Sequence, residues 1–339
     1  MNDVFDLRDL ALPVISSPMA GGPSTPALAA AVSEAGGLGF LAAGSTAPEA
    51  VAADINAARV DTTGPLGVNL FVVDAYEPNP VLLDSYRRSL QPEATRLQVA
   101  LGEPQWEDDH WQAKLDLVLD LRPDMVSFTF GCPADDVFDA LAHRGILSCV
   151  TVSSLDEATA AVARGAGSLC IQGHEAGGHR ATWDADASPS TSPLMTLVSA
   201  IASSVDVPVV AAGGIVDTST SRALMDRGAV AVQAGTAYLL TDEAGTNATH
   251  RAALVDPNFT RTTLTRAFTG RWARGLENRF IAEHADAPAG YPHLHHVTFP
   301  LRQAAIAAGD MEVAHLWAGT GHSHVRSGAA ADVTRALAP

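Results

Sequence analysis

The chain has 339 residues, 47% of them hydrophobic, and a formal net charge of −17. That length holds one large α/β barrel with an appendage, or two medium domains, with ample apolar material for a core. The acidity argues against nucleic acid or an anionic membrane surface as a partner, because phosphate binding on that scale needs a basic face. Lys114 is the only lysine, so Schiff-base chemistry has almost no candidate side chain.

Residues 1–12 alternate charged and apolar side chains, without the basic region and hydrophobic stretch of a signal peptide. No run of 18 apolar residues is present to span a bilayer. Cys132, Cys149 and Cys170 sit in or beside apolar strand-like runs, and they read as reduced, buried small hydrophobes. The chain reads as cytoplasmic.

Short β-rich runs then alternate with Ala-rich helical runs. Strands are predicted at 14–16, 39–42, 66–70, 125–130, 147–152, 168–171, 207–211 and 229–234. Helical patterns at 25–35, 48–58, 155–164, 193–204 and 219–227 lie between them. This rhythm predicts a closed (β/α)8 TIM barrel. An open doubly wound sheet would need a dinucleotide fingerprint on the first turn, and Met19-Ala20-Gly21-Gly22-Pro23 is not one. The long connection 72–123, with helices at 80–90 and 109–121, reads as an elaborated barrel unit. Beyond residue 241 the rhythm breaks. We therefore expect a barrel over 1–245, to which 310–339 returns, and a small helical cap or substrate domain over 246–309.

Three strand exits carry the chemistry. The first is Gln172-Gly173-His174-Glu175-Ala176-Gly177-Gly178-His179, the second ends in Ala212-Gly213-Gly214, and the third is Gln233-Ala234-Gly235-Thr236. Glycine lets backbone approach a flat or phosphorylated ligand closely. Glycines and hydroxyls after the last barrel strands are where phosphate usually binds in this architecture. His179 stands beside that cradle. His174 and His179 have the wrong spacing for a zinc helix, so no metal is expected. Glu175 reads as a partner for backbone donors in its turn. His293, His295, His296, His315, His322 and His324 read as solvated or cap-packing, and Arg271 and Arg274 as either surface charges or groups facing the barrel mouth.

Assembled, these segments resemble the FMN-dependent nitronate monooxygenases, formerly 2-nitropropane dioxygenases. The resemblance rests on Pro18-Met19-Ala20-Gly21, Gly67-Val68-Asn69-Leu70-Phe71, Val126-Ser127-Phe128-Thr129-Phe130-Gly131, the three exits above, the segment 270–280 and Leu316-Trp317-Ala318-Gly319. It implies FMN across the C-terminal barrel face, with the phosphate on Gly213, Gly214, Gly235 and Thr236 at helix amino termini. Met19, Ala20 and Gly21 would lie against the ring, Asn69 and Gln172 would meet its pyrimidine edge, and Gly177, Gln233 and Ala234 would complete the FMN set. His179 matches the family's catalytic histidine, suited by a pKa near neutrality to take an α-proton or hold a nitronate oxygen.

The implied reaction is oxidation of alkyl nitronates such as propionate 3-nitronate, or of nitroalkanes, by O2 to a carbonyl compound and nitrite. A homodimer is compatible with it. The sequence departs from the family at Arg180-Ala181-Thr182-Trp183, His174 and Thr129, positions expected to line the substrate space. Two alternatives stand beside this reading. One is an FMN- and NAD(P)H-dependent enoyl-acyl-carrier-protein or quinone reductase; the other is a barrel that binds a phosphorylated ligand or carries flavin without redox chemistry.

Overall fold

The computed structural model describes residues 5–339, so the reading of residues 1–12 lies partly outside the described residues. Among the described residues, eleven strands are formed: β1 (Val14–Ser16), β2 (Gly39–Ala42), β3 (Leu66–Phe71), β4 (Met125–Thr129), β5 (Leu147–Val152), β6 (Ser168–Gln172), β7 (Gly178–His179), β8 (Val209–Ala212), β9 (Ala231–Ala234), β10 (Thr262–Thr265) and β11 (Ala273–Leu276). Eight of them form one parallel sheet in the order β1-β9-β8-β6-β5-β4-β3-β2. A parallel bridge from Ile15 to Leu38 joins its two ends. The result is the TIM-barrel fold expected from the sequence.

The two-residue period of the strands sorts their side chains. Val14, Val68, Val126, Phe128, Val150, Ile171, Val209 and Val232 point outward and are buried under the helices. Ile15, Phe40, Met125, Cys149, Cys170, Val210 and Ala231 point inward and fill the barrel floor. Gly67 is required there, because a Cβ would strike the Phe40 ring. Burial pushes the Cys149 thiol up to about 12 and holds Cys170 well above its ordinary value; Cys132 is half-buried. One or two inward positions later the lining turns polar, with Asn69, Ser127, Thr129, Thr151, Gln172 and Gln233 all facing the cavity. Polarity at the carboxyl ends of the strands is what places a site at this face.

Helices close each unit on short caps. Thr25 accepts a hydrogen bond from the Leu28 N–H at 3.0 Å, with Pro26 in the first turn, and Asp217 accepts from Thr220 at 2.8 Å. The helix Trp111–Leu121 packs Leu115 and Val118 on the barrel, as a crossover helix should.

The connection after β3 does more than elaborate a barrel unit. Its helices Pro80–Ser89 and Gln91–Arg96, with Leu90 at their junction, supply Leu83, Tyr86, Leu90 and Ala94 to a second core, together with Phe268, Phe280, Leu294, Val297 and Leu301. The Tyr86 hydroxyl donates to the Ala267 carbonyl at 2.6 Å, and Arg279 pairs with Glu93 at 2.5 Å. This second unit is not purely helical either. The Thr-rich run 262–265 pairs as β10 with β11, and β11 pairs with β7, in an antiparallel sheet. β-Branched side chains favour that pleated surface over a helix. Val313, Ala314, Leu316 and Ala318 also join the second core, while Ala330 and Leu337 of the helix Ala330–Leu337 return to the barrel.

Candidate active site

A cavity of about 810 Å³ opens between the two cores, within the range of about 300–1,000 Å³ usual for cofactor sites. The residues expected to hold the cofactor, together with His179, line it: Met19, Ala20 and Gly21 after β1; Asn69 on β3; Gln172, Gly177 and His179 at and beyond β6; Gly213 and Gly214 after β8; and Gln233, Ala234, Gly235 and Thr236 at the end of β9. The second unit adds Thr269, Tyr291, Arg302 and Trp317.

The glycine exits are built for close approach. Gly213 and Gly214 have φ of +119° and +68°, and a Cβ on either would come within 2.9 Å of Ala176 or Glu175. A Cβ on Gly177 would meet the Gly319 N at 2.5 Å, so this backbone is pressed directly against the 318–319 segment. The Gly319 N–H donates to Thr236 Oγ1 at 3.0 Å, which ties the β9 exit to the same segment.

His179 sits on β7, whose partner is Ala273 on β11. Its Nε2 is 2.9 Å from Thr269 Oγ1. The rings of Phe130, Trp317 and Tyr291 surround it at centroid distances of 5.6, 5.6 and 6.0 Å. Phe130 holds φ at +80°, a strained value for a bulky residue, with the Arg271 guanidinium 4.0 Å above its ring. Burial, and then the charges of Arg271 and Arg302, push the His179 imidazole down to about 3. It is therefore neutral at physiological pH, far from the near-neutral pKa expected from the sequence. An anion beside it would favour the protonated form and move the value back up.

The amides divide differently from expectation. Gln172 donates through Nε2 to the His179 carbonyl at 3.0 Å and accepts at Oε1 from the Ala181 N–H at 3.0 Å. Both ends of this side chain hold the histidine segment in place, leaving its second N–H and second lone pair for the cavity. Asn69 donates to Ser127 Oγ and Thr129 Oγ1, each at 2.9 Å, which leaves its carbonyl oxygen toward the cavity. Glu175 accepts from the Leu194 N–H at 3.1 Å. That carboxylate is thus spent on the amino terminus of the helix Leu194–Ala202, and not on donors of its own turn.

The arginines are the least expected element. Arg180, Arg271, Arg274 and Arg302 are all buried. They donate to carbonyl and hydroxyl oxygens: Arg180 to Gly173 O, Arg271 to Thr182 O, Arg274 to His174 O, and Arg302 to Thr298 Oγ1 at 3.1 Å. Burial lowers Arg180, Arg271 and Arg302 to about 10. Of the four, Arg302 lines the cavity, and Arg271 and Arg302 both act on His179. Lys114 takes no part in this, being buried against Asp109 at 2.8 Å. The run Arg180-Ala181-Thr182-Trp183 and His174, expected in the substrate space, lie outside the cavity wall, with His174 bonded to Ser192 O and Trp183 to Thr151 O; Thr129 does line it. His250, His295 and His315 also reach the wall. Among the described residues, no three His, Cys, Asp or Glu side chains converge to hold a metal.

A family model of nitronate monooxygenases matches residues 6–338. The chain belongs to the nitronate monooxygenase family. The nitronate monooxygenase of Pseudomonas aeruginosa is 38% identical over 347 residues, covering 99% of this chain and 98% of that one. Among solved structures, the nitroalkane oxidase from Streptomyces ansochromogenes superposes with a TM-score of 0.93 at 43% identity, covering 98% and 96% of the two chains. FabK from Thermotoga maritima is less similar, at a TM-score of 0.75 and 25% identity over 98% and 93%. As a family member the protein is an oxidoreductase, and the reductase and non-redox alternatives are not favoured. No described helix is long and apolar enough to cross a membrane.

Proposed function

We propose that the protein is an FMN-dependent oxidase of alkyl nitronates that uses O2 and releases a carbonyl compound and nitrite, with His179 as its catalytic residue. The observation that carries this reading is the placement of His179: a neutral, desolvated imidazole on the wall of a cavity whose opposite strand exits are bare glycine backbone. The residues suit FMN. Gly213, Gly214, Gly235 and Thr236 would hold its phosphate, Met19, Ala20 and Gly21 would lie along the ring, and Asn69 and Gln172 would use their remaining polar capacity at its edge. When bound, the flavin would supply the redox chemistry between nitronate and oxygen.

The chain's own side chains do the rest. Arg271 and Arg302 provide a positive field that favours an anionic nitronate over a neutral nitroalkane. Phe130, Tyr291 and Trp317 keep water from the imidazole, which strengthens its interaction with a bound anion. His179 holds a nitronate oxygen or takes the α-proton of a nitroalkane. The second core, built on 80–96 and 246–318, would act as the cap that completes the pocket. The test is an absorbance spectrum and cofactor extraction, then oxygen uptake with propionate 3-nitronate and ethylnitronate. One FMN per chain and rapid uptake are expected. FAD, no flavin, or reduction by NADH without nitronate turnover would overturn the reading.

A further inference from the structure

We propose that Thr269 is a positioning residue for His179: its hydroxyl accepts the Nε2–H, fixes the imidazole as that tautomer, and leaves Nδ1 as the working nitrogen. This rests on the functional reading above. Thr269 is 2% exposed and lies 90 residues beyond the histidine it touches. Its Oγ1 has three neighbours. His179 Nε2 is at 2.9 Å, the Arg271 N–H donates to it at 3.4 Å, and the Arg271 carbonyl stands 3.3 Å away as an acceptor.

A hydroxyl has one proton and two lone pairs. If that proton goes to the Arg271 carbonyl, both lone pairs are left to accept, one from the Arg271 N–H and one from the imidazole. All three contacts are then satisfied, and Nε2 must carry the hydrogen. If the hydroxyl proton instead went to Nε2, the Arg271 carbonyl would lose this donor. Among the described residues, His179 Nδ1 takes no hydrogen bond from the protein and is not an enclosed orphan. It is the nitrogen left facing the cavity.

The surrounding backbone makes Thr269 a fixed point. The Arg180 N–H donates to the Trp272 carbonyl at 2.7 Å, the Gly270 N–H to the Arg266 carbonyl at 2.8 Å, and β7 pairs with β11. The Ala267 N–H donates to Thr265 Oγ1 at 2.9 Å. The turn presenting the hydroxyl and the strand carrying the imidazole therefore move as one piece. Gln172 holds the other side of the same strand. A neutral imidazole with one nitrogen committed and one open can act as a base in one direction only.

The experiment uses the flavin-loaded protein with 15N-labelled histidine. The two ring-nitrogen shifts of His179 are assigned by their loss in His179→Asn, then compared in wild type, Thr269→Val and Thr269→Ser. Wild type and Thr269→Ser are expected to show the Nε2–H tautomer, and Thr269→Val a mixture of both. Turnover of a neutral nitroalkane should fall about 10–100-fold in kcat in Thr269→Val, the scale on which partners that orient a functional imidazole act, with KM little changed and recovery in Thr269→Ser. An Nδ1–H tautomer in wild type overturns the proposal even if Thr269→Val does not fold. So does a tautomer unmoved in a folded Thr269→Val. A wild-type enzyme that turns over no nitronate overturns the functional reading instead, and the nitrogen shifts still decide the tautomer.

Discussion

His179 illustrates how strongly a pocket can redefine a side chain. An imidazole with a pKa near 6.5 in water is pushed to about 3 by burial and two nearby arginines. It stays neutral until an anion arrives. A nitronate has already lost its α-proton, whereas a nitroalkane has not. His179→Asn is accordingly expected to abolish nitroalkane oxidation and to retain substantial nitronate turnover, because an amide cannot accept a proton at neutral pH. Loss of a general base commonly costs about 10²–10⁴-fold. Oxygen uptake on paired nitroalkane and nitronate substrates measures the difference, and equal losses on both would mean the residue holds the nitro group and is not a base. Gln172→Ala should keep flavin yet slow both substrates, since both ends of the amide brace the His179 segment. Unchanged rates would show that the brace is redundant. His179, Gln172 and the glycines were legible in the sequence because each sits at a strand exit with a local signature. Thr269, Tyr291 and Arg302 carry no such signature. They reach the site from the second unit, and nothing in their neighbours' spacing announces it.

At the level of elements, the exits of β6, β8 and β9 do the positioning, and the sequence exposed them because short apolar runs ending in glycine alternate with helical runs. Gly214 is the sharpest test. Its φ is +68°, and a Cβ would stand 2.9 Å from that of Glu175. Gly214→Val adds left-handed strain of about 1–2 kcal/mol and displaces the 173–178 turn. It should lose most of its flavin, read as the ratio of flavin absorbance to protein absorbance after purification. A full complement of FMN in a folded Gly214→Val would remove this turn from the phosphate site. The same alternation fails for the second unit. Its sheet brings together β7, β10 and β11 from stretches more than eighty residues apart, and the two-residue β7 is too short to show a period. A helical cap was therefore the natural expectation, and the paired hairpin a finding of the fold.

The whole molecule combines a well-packed barrel with a cavity wall of histidines that must stay uncharged, and this sets how it responds to acid. Burial holds His250 down at about 4 and His179 at about 3, and it keeps His295 and His315 well below 6.5. His250 is buried outright, while the other three keep some surface toward the cavity. Above pH 6.5 both folded and unfolded chains hold these rings neutral, and their contribution to stability is complete. Between about 6.5 and 4 the unfolded chain takes up protons that the folded one excludes, so stability falls as pH falls. Each such ring contributes at most about 1.4 kcal/mol per pH unit. The lowered carboxyls of Glu93 and Asp217 add their loss only at more acid pH, which separates the two effects. The melting temperature should thus decline from pH 7 to 5, and His250→Asn, whose amide cannot be protonated, should flatten the decline by about one proton's worth. A melting temperature independent of pH over that range would mean that these histidines take up protons in the folded protein as readily as in the unfolded chain. His179 would then become charged as the pH falls below about 6.5, and the low pKa on which its neutral state in acid rests would be wrong.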